Sequence, residues 1–307
     1  MDQPGCAIEV VVDDRNRCGE APIWDAPRQR LVWTDIESGV VFEFLAATGQ
    51  KSILNRGLTV SGIALNRTGE LVLGGAGGLH LWKEQGDWRP VVAEHKGLPL
   101  CFNDIIADPH GRIYGGTVYW GQNGMEKRGD LYLIDGNGVA RVVDEGIELA
   151  NGLGFSPDHR TLYFADSAAR CIYAYDVEAD SGVLRGKRVF VRVPSDQGIP
   201  DGLTVDREGF VWCALWYGAQ TVRYDPEGTV ERRIRFPVTQ VSSLAFGGKD
   251  LTDLFVTSAS EPWRSHLAPP GFNFNWPNFG GQLFRVRLSI QGKPEHLADL
   301  NPAGDHR

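Results

Sequence analysis

A repeat constrains the fold of this chain more than any other feature. Six segments share one grammar, in which a short apolar run leads to an Asp, Asn, Ser or Gly turn and then to a second apolar run. They are EAPIWDAPRQRLVWTD from Glu20, SGIALNRTGELVLGG from Ser61, NDIIADPHGRIYGGT from Asn103, NGLGFSPDHRTLYFADS from Asn151, DGLTVDREGFVWCALW from Asp201 and SSLAFGGKDLTDLFVTS from Ser242. Their starts lie 41, 42, 48, 50 and 41 residues apart, the period of a propeller blade. Further alternating runs follow within the units, such as VVFEFLA after Gly39, GDLYLID at 129–135, CIYAYDV at 171–177 and TVRYDP at 221–226, as four-stranded blades require. The repeat predicts an all-β, six-bladed β-propeller with four-stranded blades, one domain over residues 1–307. The last unit ends in QLFRVRLSI and EHLADL. The CAIEVVV segment near the N-terminus is expected to join it as the outer strand and close the ring. An irregular β-sandwich would have to treat six in-register repeats as accident.

Composition fits this and removes other classes. Hydrophobic residues make up 42% of the 307 residues, with 38 glycines, 17 prolines and 9 tryptophans, the make-up of a folded, turn-rich protein. The net charge of −8, without a run of lysine or arginine, leaves out the footprint of a nucleic-acid or anionic-membrane binder. Cys6, Cys18, Cys101, Cys171 and Cys213 are scattered without a C-x-x-C pair, which argues against a disulfide framework and a cysteine zinc site. The first twelve residues carry Asp2 and Glu9 in place of a basic, apolar leader. A soluble, cytoplasmic protein with reduced thiols is the expectation, and its oligomeric state is not encoded in any pattern.

Equivalent positions in propeller blades lie on a ring around the axis, so the alignment names a ring of residues. Five residues before each turn stand Glu20, Ser61, Asn103, Asn151, Asp201 and Ser242, all polar and all at the head of an inner strand. Polar groups there cost stability unless the channel holds water, a ligand or an ion. Two carboxylates with two amides describe a hard oxygen site for a divalent cation. The alternative is a narrow hydrated channel lined by capping residues.

At these residues the chain resembles the family of senescence marker protein 30 (regucalcin), gluconolactonases and luciferin-regenerating enzymes. The stretches that carry the resemblance are GEAPIWD at 19–25, FNDIIADPHGRIYGGT at 102–117, LANGLGFSPDHRTLYFADS at 149–167, PDGLTVDREGFVW at 200–212 and SSLAFGGKDLTDLFVTSA at 242–259. It implies that Glu20, Asn151 and Asp201 bind one divalent cation, with Asn103 contacting water or substrate. Calcium, zinc, manganese, magnesium and ferrous iron all remain open. It also implies lactone hydrolysis, with the cation polarising the ester carbonyl and Asp201 as the general base. A carboxylate bound to a cation is a poorer base, so a water activated by the metal is an equal reading.

The departures concern substrate. Sugar-acid lactonases of the family carry an Arg where this chain has Cys101, and a Glu where it has Tyr119 and Trp120. With Phe102, Tyr119, Trp120, Trp216 and Tyr217 beside the ring, a lactone or ester less polar than a sugar-acid lactone is expected. The 260–280 stretch, with Trp263, Phe272, Phe274 and Trp276, reads as a loop over the site, and His266 as a solvent-facing residue within it. The glycine-rich runs at 71–82 and 271–281 lack the phosphate-loop pattern. No G-x-S-x-G elbow supports a serine hydrolase. Phosphotriester hydrolysis or another metal-assisted reaction, and a non-catalytic calcium-binding propeller, remain as alternatives.

Overall fold

The computed structural model describes residues 7–83, 87–121 and 124–302, and every regular element among them is a strand. Six sheets, each built on four antiparallel strands, form the blades of a propeller. Blade 1 comprises Gly19–Asp25, Arg30–Asp35, Val40–Leu45 and Gln50–Arg56. Blade 2 comprises Val60–Asn66, Leu71–Gly75, Gly78–Lys83 and Asp87–Val92. Blade 3 is Phe102–Ala107, Ile113–Thr117, Gly129–Ile134 and Ala140–Ile147. Blade 4 is Ala150–Phe155, Thr161–Asp166, Cys171–Val177 and Leu184–Arg192. Blade 5 is Ile199–Val205, Val211–Trp216, Gln220–Tyr224 and Val230–Arg235. The first strand of each blade contacts the first strand of the next, so these six line the channel.

Blade 6 takes Val241–Gly247, Asp253–Ser258 and Gln282–Arg287 from the end of the chain, and Ile8–Asp13 from its beginning. The N-terminal strand pairs antiparallel with Gln282–Arg287, from Ile8 opposite Val286 to Asp13 opposite Gln282. That closes the ring as expected from CAIEVVV, of which Cys6 lies outside the described residues. The expectation for EHLADL does not hold. Leu297–Ala298 pairs in parallel with Leu65 and Asn66 of the blade 2 inner strand, because both edges of Gln282–Arg287 are already hydrogen-bonded. Asn66 fixes the crossing by accepting from Leu300 N and donating to Leu300 O, at 3.0 and 3.1 Å.

The repeated turn has a mechanism. Asp206 is fully buried; its Oδ1 accepts from Glu208 N and Phe210 N at 2.9 and 3.0 Å, and its Oδ2 accepts from Trp212 Nε1. Asp108 caps His110 N and Arg112 N in the same way. The carboxylate replaces the backbone partners that the chain reversal removes. The apolar core is not central but divided into six wedges between consecutive blades, since each blade is apolar on both faces and the channel is polar. Trp33, wholly buried, satisfies its indole N–H on Asn16 Oδ1 at 2.9 Å.

Candidate active site

Every inner strand breaks register at its ring residue. The shifts fall between Glu20 and Ile23, Val60 and Gly62, Phe102 and Asp104, Ala150 and Leu153, Pro200 and Leu203, and Val241 and Leu244. Such a bulge re-aims a side chain out of the ladder, here toward the channel. It also frees the carbonyl before the ring residue, and a neighbouring side chain claims it in five of the six blades. Thr34 Oγ1 donates to Val60 O, Ser61 Oγ to Phe102 O, Asn103 Nδ2 to Ala150 O, Ser167 Oγ to Pro200 O and Ser242 Oγ to Gly19 O. Each bond joins one blade to the next, so the position of each of those ring residues is set by the blade beside it.

The residue after each ring residue faces the neighbouring inner strand at close range. A Cβ on Gly202 would lie 2.0 Å from Ser243 Oγ, and one on Gly152 2.2 Å from Leu203 N. This explains the small residues Ala21, Gly62, Gly152, Gly202 and Ser243 in that column. Asp104 is the exception, a carboxyl in a row of small residues.

Glu20, Ser61, Asn103, Asn151 and Asp201 line one cavity of about 660 Å³ at the end of the channel where the inner strands begin. Ser242 is wholly buried on the Gly19 carbonyl and does not line it. Cys101, Phe102, Trp120 and Trp216 line it as well; Tyr119 does not, its ring lying 3.8 Å beneath the Lys127 ammonium. Tyr217 is buried behind Trp216 and Trp263, and His266 is exposed in the 259–281 strap. Trp276 is also exposed.

The hydrogen-bond network orients the amides. Asn103 Nδ2 donates to Ala150 O at 2.7 Å and lies 3.4 Å from Asn151 Oδ1, so its amide nitrogen is committed and its oxygen is free. Asn151 Nδ2 donates to Ser167 Oγ at 3.0 Å. The Asn103 assignment follows from a carbonyl partner that can only accept, and that of Asn151 from a Ser167 hydroxyl whose proton is already given to Pro200 O. Burial, opposed by the Ala21 N–H and reinforced by the Asp104 charge, pushes Glu20 up to about 8. Burial and then the charges of Glu20 and Asp104 hold Asp201 well above the usual carboxylate range. Burial pushes Asp104 up to about 7. No protein group donates a hydrogen bond to the Asp201 carboxylate among the described residues. Cys18, beside these acids, is held well above the usual thiol range by burial and their charges, which leaves it unreactive at neutral pH.

Crowded carboxyls with nothing positive among them are a fit for a cation. Among the described residues the only basic one lining the cavity is Arg17, and it is paired at the rim with Glu261 at 3.0 Å. Among the described residues no group of three or more His, Cys, Asp or Glu side chains is placed to hold a metal ion. The donors on offer are the carboxylates of Glu20 and Asp201 with the amide oxygen of Asn151, an oxygen-only set that suits hard divalent cations.

The profile of the SMP-30/Gluconolactonase/LRE-like region matches residues 18–260. The chain belongs to the SMP-30/gluconolactonase/LRE-like family. It is 34% identical over 293 residues to pentonolactonase XacC of Haloferax volcanii, covering 95% of this chain and 98% of that protein. It is 33% identical over 300 residues to the regucalcin of Gallus gallus, covering 94% and 97%. The crystal structure of a calcium-binding protein, regucalcin, from Agrobacterium tumefaciens superposes with a TM-score of 0.83 at 27% identity, covering 95% and 97%. For this SMP-30/gluconolactonase/LRE-like chain, lactonase relatives and a six-bladed propeller thus agree.

Three residues escaped the sequence. Asp104 stands out once the column after the ring is compared across repeats, since the other five residues there are small. Arg17 and Glu261 are 244 residues apart and carry no local signal.

Proposed function

We propose that this protein is a metal-dependent lactonase acting on a substrate less polar than a sugar-acid lactone. The observation that carries the reading is the pair of buried carboxyls, Glu20 and Asp201, in a cavity whose lining holds, among the described residues, no cationic side chain but the rim residue Arg17. Glu20, Asn151 and Asp201 are the proposed ligands. A divalent cation bound there supplies the positive charge that polarises an ester carbonyl and offsets the developing oxyanion.

The chain's own groups do the rest. Asp201, whose oxygens no donor occupies among the described residues, takes the proton from the water that attacks the carbonyl. Asn103 has its amide nitrogen committed to Ala150 O, so its free oxygen accepts from that water or from a substrate hydroxyl and holds it in line. Ring opening passes the proton on Asp201 to the departing alkoxide and leaves a hydroxy acid, whose carboxyl then releases its own proton to solvent as a carboxylate. Cys101 and Trp120, where sugar-acid lactonases present polar handles, favour an apolar substrate body.

The test is hydrolysis of a panel of sugar, aliphatic and aryl-substituted lactones before and after chelation, with Asp201→Ala alongside. Turnover that vanishes with chelation, returns with one cation and is lost in the variant supports the reading; undiminished turnover in Asp201→Ala sinks it. The oxygen-only donors and the calcium-binding Agrobacterium relative also favour a second reading, cation binding without chemistry. Cation affinity with no turnover on any lactone selects it.

A further inference from the structure

The cavity is much larger than a lactone ring. A cavity of roughly 150 Å³ is enough for benzene, and this one measures about 660 Å³. Glu20, Asn103, Asn151 and Asp201 form a polar floor and the charged Arg17, Glu37 and Glu261 also line the cavity, while Val118, Leu149, Ile199 and Trp216 give it an apolar wall. The volume beyond what a lactone ring fills is bordered on one side by that apolar wall.

Two insertions from opposite blades meet over the mouth of the cavity. The blade 3 hairpin Tyr119–Gly121 with Gly124–Lys127 carries Trp120, and the blade 6 strap carries Trp263. The two rings meet edge to face with centroids 6.0 Å apart, and Trp263 also meets Trp216 edge to face at 6.2 Å.

Trp263 is mounted rigidly. Gln240, wholly buried, donates through Nε2 to Ala259 O and Glu261 O at 3.0 and 2.6 Å, and accepts from Trp263 N through Oε1 at 3.0 Å. Tyr217 Oη donates to Trp263 O, and the Tyr217 ring stacks on the Trp263 ring with centroids 6.1 Å apart and planes 7° apart. Tyr217 holds a left-handed φ of 66° to do so, a conformation with an energetic cost that packing must offset. A side chain fixed this way loses little entropy when a ligand docks on it.

We propose that the space beneath Trp120 and Trp263 is a subsite for a large, flat apolar substituent on the lactone, with Trp263 the residue that selects for it. This rests on the lactonase reading for its substrate class. The substituent lies against indole faces while the ester sits on the polar floor. A truncated lactone forgoes that contact.

The experiment compares kcat/KM for δ-valerolactone and a phenyl-substituted δ-valerolactone in the wild type, Trp263→Ala, Trp263→Phe and Trp120→Ala. It also titrates the matching lactams, which resist hydrolysis, by intrinsic fluorescence. The wild type is expected to favour the phenyl compound. Trp263→Ala is expected to cut that ratio about tenfold, as loss of an aromatic contact with its burial does. Trp263→Phe, which keeps an aromatic face, retains most of it and stands in if the alanine variant fails to fold. Lactones turned over with no preference for the phenyl group, or a preference that survives both Trp263→Ala and Trp120→Ala, overturn the subsite and leave the lactonase standing. Lactams that bind with a phenyl preference lost in Trp263→Ala, where no lactone is turned over, support the subsite and remove the lactonase.

Discussion

Asn151 donates to the Ser167 hydroxyl at 3.0 Å, and that hydroxyl donates to the Pro200 carbonyl, next to Asp201, at 2.6 Å. One buried serine thus ties the proposed ligand of blade 4 to that of blade 5.

Ser167→Ala removes that tie without touching the cavity. Apparent affinity for the divalent cation is expected to fall by roughly 10- to 100-fold, the usual effect of removing a group that orients a metal ligand. The fold is expected to lose about 1 kcal/mol. Cation titration and thermal melts read the two effects separately, and unchanged affinity would show that the tie has no part in orienting Asn151.

Asp201→Asn is expected to lower turnover by roughly 10²- to 10⁴-fold, the range for losing a general base. The chelated protein is expected to become more stable at pH 8, because the substitution relieves the repulsion that Asp201 shares with Glu20 and Asp104. Rates on a reactive lactone and melts in chelator check this pair of opposite effects; a less stable chelated variant contradicts the repulsion.

The metal-free protein should lose stability as pH rises. Glu20 is pushed up to about 8 and Asp104 to about 7 by burial, whereas in the unfolded chain both titrate near ~4. Between those values the folded state binds more protons than the unfolded one. Stability present below about pH 4 is therefore lost as pH climbs through the folded values. Melts in chelator at pH 5, 6, 7 and 8 should show a falling Tm, and a shallower fall in Asp201→Asn separates this cluster from the other carboxylates. A Tm that rises over this window in both proteins is the contrary result.

Cation binding should release protons for the same reason. At pH 7 carboxyls pushed up by burial hold a proton that the cation displaces. Calorimetric titration in two buffers of different ionisation enthalpy should give release of about one proton per cation or more at pH 7, and less at pH 9. Heats that do not depend on buffer rule it out.

Gln240→Ala is expected to loosen the strap and leave the blades paired. The side chain holds Ala259 O, Glu261 O and Trp263 N, and each buried group left without a partner costs about 1–3 kcal/mol. Limited proteolysis should cut within 259–281 sooner than in the wild type; an unchanged cleavage pattern would mean that Tyr217 alone suffices to hold the strap.

Much of the site could be read from the chain because a propeller turns sequence columns into spatial rings. Glu20, Asn103, Asn151 and Asp201 were named by register and line one cavity. Ser242 occupies the same column, yet it is wholly buried, its hydroxyl held between Gly19 O and Thr257 Oγ1. Tyr119 sits one residue from Trp120 but on the other side of its strand, under Lys127. Strand alternation decides that pair, and the strand's phase was not visible in so short a hairpin.

By itself the sequence determined the number of blades, the closing strand and the polar ring, because period, alternation and turn chemistry are properties of short stretches repeated along the chain. Only the tertiary structure decided where Leu297–Ala298 pairs, that the charge of Asp104 acts on Glu20 and Asp201, and that Trp120 meets Trp263 across the mouth. Those relationships depend on the distance between segments tens to hundreds of residues apart, and burial between them, which raises the carboxyl pKa values, exists only once the blades have closed.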